Sequence, residues 1–87
     1  HNTNILLNEV ETMTPKSPLI DILAQNLRYF RHQLGISQEE LADICHLHRT
    51  YIGSVERSER NVTLTTLDTL AKGLGVKVCE LLTPRDE

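Results

Sequence analysis

From Leu19 to Leu34 the apolar residues Leu19, Ile20, Leu23, Leu27, Phe30 and Leu34 recur at steps of mostly three and four, the repeat of one helix face. Gly35 predicts the end of this first helix. Ser37, with Glu40 three positions on in "SQEE", forms a capping box and predicts a second helix. Its expected buried side is Leu41, Ala42, Ile44 and Cys45. Only His46-Leu47-His48 separates it from a third periodic segment. Thr63 is the expected cap of a fourth helix, Leu64 to about Gly73, with Leu64, Leu67, Leu70 and Ala71 inward. Gly73 and Gly75 are expected to break it, and "VKVCELL" predicts a short fifth helix before Pro84. The pattern predicts an all-α fold, a compact five-helix bundle with short connections. It divides the chain into an N-terminal arm at 1–17, a domain at 18–83 and a tail at 84–87. The arm contains the linker-like "TPKSP"; its Ile5, Leu6, Leu7 and Val10 fit either a short docking segment or a flexible extension.

The third segment, "RTYIGSVER", has two unlike sides. At about 100° per residue, Arg49, Thr50, Gly53, Ser54 and Arg57 share one side, and Tyr51, Ile52 and Val55 the other. Glu56 falls on the inner flank beside Ile52. An interior glycine costs a helix roughly 1 kcal/mol relative to alanine, so Gly53 needs a reason. Close approach to a duplex supplies one. Two helices joined by a three-residue turn form a motif whose second member enters the DNA major groove. There an arginine fork reaches guanine O6 and N7 together, and Thr or Ser hydroxyls pair with base edges. The base-reading candidates are therefore Arg49, Thr50, Gly53 and Ser54. Phosphate candidates flank them: Ser37 and Gln38 at the start of the second helix, Tyr51 on the third, and Arg57, Arg60 and Asn61 after it. Residue by residue, a solvated polar surface has the same composition. As a set, these positions bracket one helix.

A chain of 87 residues with three aromatics makes one small domain with an aliphatic core. Its net charge of −3 argues against nucleic acid as a partner of the whole surface. The distribution changes that picture. Positions 46–61 hold three arginines and two histidines against two glutamates, whereas acids gather at Glu39, Glu40, Asp43 and both ends. Cys45 and Cys79 sit in apolar helical patterns, where free cysteine acts as a small hydrophobe. The sequence Cys45-His46-x-His48 lacks the second ligand pair of a structural zinc site, so neither metal nor cofactor is expected. No apolar run approaches the roughly 20 residues that span a bilayer, and the start lacks a secretory leader pattern; a cytoplasmic protein is expected, with no membrane partner. There is no phosphate-binding glycine loop and no nucleophile with a base and an orienting group, so the chain does not read as an enzyme.

Over roughly residues 20–82, "SQEELA", "RTYI", "ER", Asn-x-Thr-Leu and "LAKGLGV" occur in order. In these motifs the chain resembles the Cro- and phage-repressor-like (xenobiotic-response-element) helix-turn-helix family, and is particularly similar to controller proteins of restriction–modification systems. The resemblance implies a lambda-repressor-like domain and a sequence-specific transcription regulator of double-stranded DNA operators, acting as a homodimer. It also implies a structural ion pair between Arg31 and Glu56, and a dimer contact near the fifth helix at Val76, Val78, Leu81 and Leu82. Activation, as opposed to repression, needs a contact with RNA polymerase, for which Glu39, Glu40 and Asp43 are candidates; a helix-dipole role is the favoured alternative for the first two. The same fold also serves protein-interaction modules such as antitoxins, a reading the acidic net charge favours. Four positions depart from the family pattern: His46 at the turn glycine, His48 at the third-helix cap, Ser58 at its end and Val62 at a frequent proline. A weak cap is expected at His48.

Overall fold

The computed structural model describes residues 17–85. Ile5, Leu6, Leu7 and Val10, and the terminal Asp86-Glu87, lie outside the described residues. Those described form α1 (Pro18–Leu34), α2 (Gln38–Cys45), α3 (Arg49–Glu56), α4 (Leu64–Leu74) and α5 (Val78–Leu81), with no strand among them.

Each boundary has a local cause. Ser17 accepts from Leu19 N–H at 3.2 Å, and Pro18 sits in the first turn, where its missing N–H costs nothing. Gly35 ends α1 in the left-handed region at φ 68°. At α2 the capping box is closed both ways: Glu40 N–H donates to Ser37 Oγ at 3.0 Å and Ser37 N–H to Glu40 Oε1 at 2.8 Å. His46 then takes φ 58° and Ser58, after α3, takes φ 63°. Both do without glycine at positions that favour it. His48 supplies a cap after all, because its ring Nδ1 accepts from Thr50 N–H at 3.2 Å. Thr63 Oγ1 caps α4 by accepting from Thr66 N–H at 3.1 Å.

The core is aliphatic. Leu27, Leu41, Ile52, Leu70 and Leu81 are fully buried, with Leu23, Val55, Leu67 and Leu74 around them. Asn26 is buried with them, and its amide donates to the carbonyls of Glu80, Leu81 and Thr83 at 3.2, 2.8 and 2.9 Å. One side chain of α1 thus caps the end of α5.

Four features differ from the sequence expectation. Leu64 is 83% exposed, because it opens α4 ahead of the turn that meets the core. Leu19 and Leu34 stand half in solvent at the two ends of α1, as does Ile44 on α2. Gly73 does not break α4, which runs on to Leu74 before Gly75 ends it at φ 73°. Finally, Leu81 is 0% exposed, so its assignment to a dimer face is corrected: it is a core residue.

Candidate nucleic-acid interface

The seat of α3 is built first. Glu56, 4% exposed at its C-terminal end, accepts from Arg31 Nε at 2.7 Å and Arg31 Nη2 at 3.0 Å. Arg31 also donates to the Ile36 carbonyl at 2.9 Å, so one guanidinium ties α1 to α3 and to the loop before α2. Gln38 Nε2 donates to Glu56 Oε1 at 2.9 Å, and Arg28 donates to the Glu56 backbone carbonyl. Two arginines at the carbonyl end of a helix also suit its dipole. A buried, bidentate pair of this kind fixes orientation more than it adds stability. The consequence is a third helix held at one angle.

That angle leaves the first turn of α3 open. Arg49 and Thr50 are exposed there, beside the exposed His48. The other two base-reading candidates are placed differently. Gly53 is buried: a Cβ on it would lie 3.1 Å from Arg57 Nη1 and 3.5 Å from Gln38 Oε1. The space it clears is filled by the protein's own side chains, not left open for a duplex. Ser54 is 4% exposed, and its hydroxyl donates to the Tyr51 carbonyl at 2.7 Å and accepts from Arg60 Nε at 3.0 Å. With both roles of the hydroxyl taken, Ser54 is not a base reader. The side on which the sequence collects five residues is therefore an exposed Arg-Thr edge followed by a filled middle.

The phosphate candidates divide as well. Ser37 is exposed, but its hydroxyl serves the α2 cap. The Gln38 amide turns toward Glu56 rather than outward. Tyr51 is half-buried, with the Arg60 guanidinium 5.5 Å from its ring centroid, within cation–π range. Arg57 chelates Glu59 at 3.0 and 3.2 Å, and that carboxylate pushes the guanidinium pKa up through its hydrogen bond and charge. Asn61 is exposed in the loop. The dimer candidates Val76, Val78 and Leu82 are half-buried against the core.

Sequence reasoning missed Arg28 and Asn26. For Asn26 a signal exists: it follows Leu23 by three positions and precedes Leu27, a polar residue on the core stripe. For Arg28 there is none, since nothing local announces that it grips the end of α3. Also unforeseen is Arg85, whose guanidinium lies 3.3 Å from the Tyr29 ring centroid and draws the chain beyond α5 back onto α1. Among the described residues no cluster of His, Cys, Asp or Glu is arranged to hold a metal. Cys45 is buried, which pushes its thiol pKa up, and Cys79 is exposed; neither forms a disulfide. No described helix is long and apolar enough to cross a membrane.

A helix bolted from behind by a buried arginine–glutamate pair, three residues after its predecessor and offering Arg and Thr at its open first turn, defines a helix-turn-helix DNA-binding regulator. The chain belongs to that family: the helix-turn-helix (HTH_3) model matches residues 27–81. Within it the likeness is to control proteins. Over 63 residues the chain is 62% identical to control protein C.SmaI of Serratia marcescens, covering 72% of this chain and 75% of that one. The hypothetical transcription factor NHTF from Neisseria superposes with a TM-score of 0.75 at 44% identity, over 82% of each chain. The restriction–modification controller protein C.AhdI from Aeromonas hydrophila does so with a TM-score of 0.69 at 42% identity, over 71% of this chain and 94% of that one.

Proposed function

We propose that this transcription regulator reads a duplex operator as a homodimer, with the first turn of α3 in the major groove. The supporting observation is the exposed Arg49–Thr50 edge on a helix seated by Arg31 and Glu56. N-terminal residues of a recognition helix are the ones that meet base edges. Arg60 and Asn61 on one flank and the backbone N–H end of α2 on the other bracket that edge as phosphate contacts. One helix this short reads too few base pairs to single out an operator, so two copies on half-sites about 34 Å apart are needed. A largely apolar groove lined by Leu19, Ile20, Val62, Leu64 and Leu82, and shared with Arg60 and Asn61, is the face we assign to the second copy. Of the helix-five assignment it keeps Leu82 and leaves out Val76, Val78 and Leu81. Glu39 and Asp43 remain exposed for a polymerase contact, whereas Glu40 serves the α2 cap.

The same groove favours a second reading, a protein-interaction module on this fold. Mobility shift of a selected duplex over a salt series separates the two, because phosphate contacts make DNA affinity fall steeply with salt. Arg49→Ala is expected to cost about 1–3 kcal/mol and to relax base preference, while Arg60→Ala weakens all sequences alike. Salt-independent binding, or none, supports the module. Identical behaviour of the two variants ends the division between reader and clamp.

A further inference from the structure

Two arginines follow α3, and the structure treats them unlike. Arg57 has Nε and Nη2 engaged by Glu59, and its side chain and that of Glu59 are 59% and 55% exposed. It carries a carboxylate where a phosphate would have to sit. Arg60 is held by neutral groups instead: Nε donates to Ser54 Oγ at 3.0 Å, and the guanidinium rests 5.5 Å from the Tyr51 ring centroid. Its charge is therefore not cancelled by its holders. Neither of its Nη groups has a protein hydrogen bond among the described residues.

We propose that Ser54 is a positioning residue: its buried hydroxyl and the Tyr51 ring fix Arg60 in advance as the phosphate clamp beside the reading edge. This rests on the DNA-binding reading above. The hydroxyl is suited to the task because it is itself fixed. Its proton goes to the Tyr51 carbonyl at 2.7 Å, one turn back on the same helix, which turns the remaining lone pairs toward Arg60. Free arginine side chains lose considerable rotamer entropy when they bind. Here Ser54 and Tyr51 impose that ordering on folding, before DNA arrives. Both holders lie on α3, so the clamp direction is tied to the orientation of the helix that reads bases. The identity of position 54 then governs affinity without touching a base.

The test is a double-mutant cycle on the full chain, with Ser54→Ala, Arg60→Ala and the pair, titrated against the selected duplex and a scrambled one. Ser54→Ala should weaken both duplexes about three- to tenfold, the range of one ordinary intramolecular hydrogen bond. Base preference and the salt slope should stay the same, because the arginine charge is still present. Arg60→Ala should reduce the salt slope by about one. In the Arg60→Ala background, Ser54→Ala should have no further effect. An additive cycle, or a loss confined to the selected duplex, overturns the proposal. Hydrogen exchange at the Arg60 Nε–H in the free protein reads the contact without DNA: slow exchange is expected in the wild type and fast exchange in Ser54→Ala. Equal rates also overturn it. Absence of any duplex binding by the wild type overturns the functional reading itself, whatever the exchange rates.

Discussion

At Gly73 an added Cβ would lie 2.5 Å from Cys45 Sγ and 3.3 Å from Ile44 Cγ2, because α4 passes α2 at that point with no room for a side chain. At Gly53 the nearest atom is the tip of a flexible side chain, Arg57 Nη1 at 3.1 Å. The two interior glycines should therefore respond oppositely to alanine. Gly73→Ala sets about 1–3 kcal/mol of overpacking against a helix-propensity gain of up to about 1 kcal/mol, and a net loss is expected in urea unfolding. Adding Cys45→Ala should recover part of it. Gly53→Ala should leave the urea midpoint unchanged or raise it, since the Arg57 tip can swing aside. A larger loss at Gly53 than at Gly73 would reverse this account. Ser54 belongs to the same scale: the helical wheel shows only which side it faces, and a neighbour six residues on, Arg60, then claims its hydroxyl.

Among elements, the joint of α1 with α3 decides whether the regulator can read anything. Arg31, Arg28 and Gln38 converge on Glu56 from two other helices. Removing the Arg31 guanidinium leaves a carboxylate that is 3% exposed without its main partner. Arg31→Ala is expected to cost about 3–5 kcal/mol, a large share of the roughly 5–15 kcal/mol that holds a small domain together. Replacing both members, Arg31→Met with Glu56→Leu, should recover most of that stability while DNA affinity stays low. Chemical denaturation beside the mobility shift makes the comparison; recovery of binding along with stability would show that the pair does not set the helix angle. Most helix ends were legible from the sequence because their signals are local: Gly35, Ser37 with Glu40, Thr63 and Gly75 each act within one turn.

For the whole molecule the question is how a chain of net charge −3 approaches a polyanion. The exposed Arg49 and Arg60 lie at the start of α3 and just after it, with the Arg57 charge offset by Glu59, and a local patch can attract phosphates that the mean charge repels. The exposed Leu19 and Leu64 lie beside that patch, on a groove between the starts of α1 and α4 that Arg60 also lines. If that groove joins two copies, Leu64→Asp should weaken the dimer by at least about tenfold, because burying a leucine is worth about 1.5–3 kcal/mol. Sedimentation over a concentration series measures the shift. A dimer as strong in Leu64→Asp as in the wild type would place the contact on another surface.

Helix number, their order and the placement of Arg49 and Thr50 on an open side follow from the spacing of apolar residues and a few capping residues, interactions within four positions of one another. The fate of Gly53 and Ser54 on that same side does not, because Gln38 of α2 and Arg60 of the loop after α3 reach them from outside the helix. Nor does the burial of Leu81 under α1, the grip of Arg28 on Glu56, or the passage of Gly73 across Cys45. Periodicity assigns a side chain to a face. Which neighbour fills the space in front of that face depends on how helices distant in the chain pack together, and no local pattern encodes it.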